Sequence, residues 1–126
     1  MIRDLLTPTA HRDPYTWAAV LLAHAAICQG LVLILAGILG PICAAYVISA
    51  GYLLLWEGRQ LHIALRRGDQ PIAALADGLI DTAGVTLGCQ LIAYTAAGRD
   101  SAAITCWMAL LLIAAIGYLL REKGRK

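Results

Sequence analysis

The sequence predicts an all-α fold, a polytopic integral membrane protein whose four transmembrane helices form two antiparallel hairpins. Of the 126 residues, 60% are hydrophobic and 14% are charged, a balance outside that of soluble domains. The apolar residues fall into four runs, each near the roughly 20 residues with which a helix crosses about 30 Å of hydrocarbon. These runs are apolar on every side, whereas the strands of a membrane barrel alternate, so the pattern favours helices.

The predicted spans follow one another closely along the chain. None contains Lys or Arg, and they cover about residues 15–36, 38–56, 78–97 and 102–120. The turns around Pro41 and Gly98 are short, so the two helices that each turn joins must pack as antiparallel neighbours. We therefore predict that residues 1–126 form a single four-helix membrane domain with one larger cytoplasmic loop at 57–77.

That loop carries helix signals of its own. Residues 58–67 can extend the second helix into the headgroup zone, and Gly68 should end it. Pro71 suits the first turn of a new helix, which Asp69 or Gln70 would cap. The third helix should therefore begin before its chain reaches the lipid.

The basic residues predict the orientation of the chain. Of the ten Lys and Arg residues, only Arg99 lies on one side of the predicted bilayer. The other nine lie on the opposite side, and such an excess of cations is typical of the cytoplasmic side. The nine residues on that other side are Arg3, Arg12, Arg59, Arg66, Arg67, Arg121, Lys123, Arg125 and Lys126. We expect both termini in the cytoplasm and the chain in a bacterial inner membrane, with membrane lipids and not nucleic acid as partners. A cleaved signal peptide is the alternative for the first span, but the apolar run continues about ten residues past a cleavage site at Ala23–Ala25, which favours an anchor.

The third span carries a polar face. Asp77, Asp81, Gly84 and Gly88 recur at helical spacing, so two carboxylates and two glycines lie along one side. The glycines form a Gly-x-x-x-Gly pair, which predicts helix packing because it lets a second helix approach closely. Asp81 lies about one turn inside the apolar run, where an ionisable group is costly unless it faces protein, water or a partner.

The second span offers partners for these acids at a matching depth. Glu57 and Gln60 lie one helical turn apart at its end. We predict a polar cluster in which these two residues meet Asp77 and Asp81, with Arg66 or Arg67 offsetting the repulsion among the acids. The alternative is that the charges only mark a solvated loop and that Asp81 reaches up to the interface.

His24, in the first span, is a secondary candidate. A lone histidine here is more often a hydrogen-bonded packing residue than a ligand or proton carrier, and the second span offers it partners in Tyr46, Ser49 and Tyr52. The aromatic residues near the predicted cytoplasmic ends fit an interfacial belt. They are Trp17, Trp56 and Tyr118.

The polar residues of the second and third spans resemble the signature of VanZ-like membrane proteins. The pattern here is Glu57-x-x-Gln60, then Arg66-Arg67, then Asp77-x-x-x-Asp81-x-x-Gly84-x-x-x-Gly88. The family typically shows Glu-x-x-Gln, an arginine and Asp-x-x-x-Asn-x-x-Gly-x-x-x-Gly, so Asp81 stands in place of the usual Asn. The resemblance covers about a quarter of the chain and implies a role at the cell envelope, where the family is associated with low-level resistance to teicoplanin. A phage-encoded relative fits the same pattern.

Several classes of function compete. The first is a non-enzymatic envelope protein whose acidic cluster binds polar lipid headgroups or holds the hairpins together. A phage holin, lysis or exclusion protein would assemble as a homo-oligomer, and a proton-coupled exporter like the small multidrug resistance transporters would need an embedded glutamate that the first span lacks. An enzyme has the least support, since no nucleophile with an adjacent base and no phosphate-binding glycine loop appears. The four cysteines lack metal-ligand spacing, so we predict no metal site and no cofactor.

Overall fold

The computed structural model of the protein describes residues 13–68 and 70–123, which form four long helices. Each is long and apolar enough to cross a membrane, and no strand occurs among the described residues. The helices are α1 (Pro14–Leu39), α2 (Pro41–Arg67), α3 (Pro71–Ala96) and α4 (Asp100–Lys123). The predicted all-α class is confirmed, and the protein is a small integral membrane protein.

Proline and glycine punctuate the helices. Three helices carry Pro in their first turn, where the missing N–H costs no hydrogen bond. Gly40 and Gly98 adopt φ of +77° and +67° at the two short turns, a conformation that only glycine adopts without strain. At the second turn the Arg99 N–H donates to the Tyr94 carbonyl oxygen over 2.8 Å, which closes a Schellman-type end to α3.

The helices extend beyond the apolar runs at the end where α1 begins and α4 ends, called here the N/C end. The opposite end, with the turns at Gly40 and Gly98, is the hairpin end. α2 continues to Arg67 and α3 begins at Pro71, so the segment 57–77, predicted as the larger loop, is helical up to Arg67 and again from Pro71. Of the cations behind the predicted orientation, Arg3, Arg12, Arg125 and Lys126 lie outside the described residues.

α1 and α3 form the centre of the bundle, because they contact each other and each also contacts α2 and α4. Small residues line these contacts. A Cβ at Gly84 would lie 2.5 Å from Leu21 Cδ1, and one at Gly88 would lie 2.9 Å from Ala25 Cβ. The glycine pair of α3 therefore packs against α1, and the two helices approach to a distance that side chains would forbid.

Large apolar side chains cover the outside of the bundle. Leu54, Leu55 and Ile34 are all more than 70% exposed, whereas the buried positions hold mostly small residues such as Ala44, Ala45 and Cys89. Large residues outside and small residues inside suit a lipid environment. Exposing apolar surface to lipid carries no free-energy penalty, and close packing between helices supplies the attraction that holds the bundle together.

Candidate functional site: a buried polar cluster at the N/C end

The geometry of the site begins with a π-helical turn in α2 over Tyr52–Glu57. In an α-helix, residues five apart point about 140° away from each other. A π turn closes its hydrogen bonds over five residues, as Gly58 N–H to Leu53 O does here, so residues five apart come onto one side. Tyr52 and Glu57 are both buried as a result, at 8% and 7% exposure.

Glu57 is the most deeply buried acid that the structure describes. Its Oε1 atom is buried and accepts no hydrogen bond. Its carboxylate interacts with Tyr52 and with Asp77 on α3. α3 makes room for it at Gly78, since a Cβ there would lie 2.9 Å from Glu57 Oε2. A glycine therefore lets the carboxylate enter the α2–α3 interface.

His24 meets the same turn from α1. The Tyr52 hydroxyl and His24 Nδ1 are 3.0 Å apart, and the Trp56 ring stands edge-on to the imidazole with centroids 5.3 Å apart. Of the partners expected for His24, Tyr52 is the one that the structure supplies. Ser49 instead donates to the Ala45 carbonyl oxygen over 2.7 Å, and Tyr46 is exposed.

Asp77 forms an ion pair with Arg121 in the last turns of α4. The Arg121 guanidinium also lies over the Trp17 ring, 4.1 Å from its centroid. Trp17 is held in place because its indole occupies the space where a side chain at Gly117 would stand. One arginine thus connects α1, α3 and α4 at the N/C end.

Asp81 completes the group, called here the polar cluster and consisting of Glu57, Asp77, Asp81 and Arg121. Asp81 Oδ1 is buried without a hydrogen-bond partner, and its carboxylate interacts with the other three members of the cluster. Among the side chains that the structure describes here, three carboxylates share one guanidinium. The cluster can therefore accept a further positive charge or further N–H donors.

The structure brings together Glu57, Asp77 and Asp81, which sequence reasoning had grouped. Gln60 is half-buried one turn beyond Glu57.

Arg66 and Arg67 are exposed in the last turn of α2. The cation proposed from the sequence is thus corrected, because Asp77 pairs with Arg121 and not with either arginine of α2.

Two features of the site were missed or misplaced at the sequence level. Trp17 was assigned to an interfacial belt, yet it is 1% exposed and packs inside the bundle. Arg121 was counted only as a topology signal. The usable clue was the Gly117-x-x-x-Arg121 spacing, which places a bare backbone patch one turn before a cation at the depth of Asp77.

Two cavities adjoin the site. A cavity of about 570 Å³ between α1 and α2 is lined by apolar side chains together with His24 and Tyr52. A smaller one of about 190 Å³, called here the Glu57 groove, lies between α2 and α3. Its lining is Leu53, Leu54, Glu57, Gly58, Leu61, Ala74, Leu75, Gly78 and Leu79. Glu57 contributes the carboxylate in an otherwise apolar groove.

No group of three His, Cys, Asp or Glu side chains among residues 13–68 and 70–123 is arranged to hold a metal ion. No protein-family model, curated protein or solved structure matches the chain.

Proposed function

We propose that the protein is a non-enzymatic component of the bacterial cell envelope that binds a polar lipid headgroup at the N/C end of its bundle. The observation that carries the proposal is the Glu57 carboxylate, which is 7% exposed, has an oxygen without a hydrogen-bond partner and lines a groove on the outside of the bundle. A ligand that supplies a hydrogen-bond donor would offset the cost of burying this acceptor unpaired.

The depth of the cluster suits a headgroup. At 1.5 Å per residue, Glu57 lies about 24 Å along α2 from Pro41, and Asp81 lies about 22 Å along α3 from Ala96. With hydrocarbon about 30 Å thick, both acids lie near the membrane boundary at the N/C end. In the proposed orientation this boundary belongs to the cytoplasmic leaflet of the inner membrane, the side to which the sequence pattern assigns nine cations.

The resemblance to VanZ-like proteins supports an envelope role and supplies a cellular readout. The residues on which it rests include Glu57, Asp77 and Asp81, which are three of the four members of the polar cluster. We propose that expression of the chain changes susceptibility to teicoplanin through this cluster.

Lipid retention tests the binding proposal. Wild type and E57Q are purified in mild detergent, and native mass spectrometry measures the bound phospholipid. D100N is the matched control, because Asp100 is exposed at the hairpin end. We expect wild type and D100N to retain phospholipid and E57Q to lose most of it. Equal retention by all three proteins would overturn the proposal.

A further inference from the structure

We infer that the headgroup bound in the Glu57 groove carries a primary ammonium group, as an ethanolamine phospholipid does. This inference rests on the proposed function and names the ligand class of the same site. It follows from the charge of the site, the hydrogen-bonding capacity of Glu57 and the size of the groove.

Charge selects a cation. The Asp77–Arg121 ion pair joins one acid of the cluster to the guanidinium, while Glu57 and Asp81 each keep a buried oxygen without a hydrogen-bond partner. Arg121, the one cation among the described members of the cluster, already pairs with Asp77, so an anionic headgroup that ends in a hydroxyl or phosphate would find no free cation there. An ammonium group would donate a charge-assisted hydrogen bond to a carboxylate.

Hydrogen bonding selects a primary amine among the cations. An ionised carboxylate only accepts hydrogen bonds, so a cation that pairs with Glu57 Oε1 through a hydrogen bond must carry an N–H donor. A primary ammonium group presents three N–H donors, and a quaternary one such as choline presents none. Each methyl group added to the nitrogen therefore removes one donor and enlarges the head.

The groove accommodates a small head and part of a chain. Its volume of about 190 Å³ is too small for a whole phospholipid and suits an ammonium group with its adjoining carbons. The surrounding Leu53, Leu54 and Leu79 are 40%, 72% and 53% exposed, so an acyl chain can lie along them. Gly78 leaves room for the carboxylate beside the groove, because a Cβ there would lie 2.9 Å from Glu57 Oε2.

A methylation series tests the inference on the wild-type protein. Phosphatidylethanolamine, its N-monomethyl and N,N-dimethyl derivatives, phosphatidylcholine and phosphatidylglycerol, all with the same acyl chains, compete for the detergent-purified protein, and native mass spectrometry measures the bound fraction of each. We expect affinity to fall stepwise with each methyl group and to differ about tenfold between the ends of the series, equal to about 1.4 kcal/mol. Free ethanolamine, tested as a separate competitor, should displace the phospholipid only weakly, because it has no acyl chains.

Variants assign the preference to the groove. We expect E57Q to lose the graded dependence and D100N to keep it. If wild type prefers phosphatidylglycerol, or if methylation has no effect on binding, the ammonium assignment is overturned while lipid binding at the cluster stands. If no phospholipid is retained by wild type, the proposed function and this inference fail together.

Discussion

The guanidinium of Arg121 lies 4.1 Å from the ring centroid of Trp17, so the end of α4 is fastened to the start of α1. The same guanidinium pairs with Asp77 of α3. The cation of the polar cluster therefore also joins the two hairpins. Its removal should lower the stability of the protein and change its lipid binding.

Replacing Arg121 tests this joint role. We expect R121L to lower the free energy of unfolding by about 2 kcal/mol, because it leaves the partly buried Asp77 beside two other acids without their cation. Thermal melting in detergent measures the change, with R99L at the exposed hairpin end as control. The double variant D77N/R121L should recover part of the loss. An R121L protein as stable as R99L would contradict the role.

Gly117 should tolerate no side chain. Trp17 fills the space beside it and is 1% exposed, so the indole cannot move aside freely. We expect G117A to cost about 1–3 kcal/mol through overpacking. G30A provides the comparison, since nothing lies within 4 Å of a Cβ built there. Equal melting temperatures for the two variants would show that Trp17 does not pack on α4.

The Tyr52 hydroxyl should couple α1 to α2. It lies 3.0 Å from His24 Nδ1 and interacts with Glu57. We expect Y52F to lose about 1 kcal/mol, the scale of hydrogen bonds between membrane helices, whereas Y46F at an exposed position should lose nothing. A double-mutant cycle of Y52F with H24A measures the coupling, and a coupling energy of zero would contradict the contact.

Asp81 should be needed for the cellular phenotype. We expect cells that express wild type to differ from empty-vector cells in teicoplanin susceptibility, and cells that express D81L to match the empty vector at normal membrane levels of the protein. The physical reason is that D81L removes one of the carboxylates of the polar cluster, which is the proposed binding site for the headgroup. A D81L protein with wild-type activity would remove the cluster from the mechanism.

The helices and turns could be predicted because local properties decide them. Apolar run length sets a span, and Pro41, Gly68, Pro71 and Gly98 mark helix ends by their backbone chemistry. The shared side of Asp77 and Asp81 also follows from helical periodicity alone.

The partners of those acids could not be predicted in the same way. Which cation pairs with Asp77 depends on which helices adjoin α3, and hydropathy does not order the helices around a bundle. The π turn at Tyr52–Glu57 also has no marker in the sequence, although it is what turns Glu57 inward. Trp17 was assigned to the interface because tryptophan is common there, whereas a gap at Gly117 admits it to the interior.

Glu57 contacts α3 beside Gly78, and the polar cluster depends on this contact, which a cysteine pair can trap. A Cβ at position 78 would lie 3.8 Å from Glu57 Cβ, the mean separation in disulfides. In a background where the four native cysteines are replaced by alanine, E57C/G78C is oxidised mildly and its free thiols are counted with a maleimide reagent. L55C/G78C is the control, because Leu55 is 78% exposed. We predict that oxidation removes both thiols of E57C/G78C in the monomer, reversibly with reductant, and spares those of L55C/G78C. Two free thiols in both proteins after oxidation would show that Glu57 does not lie against α3.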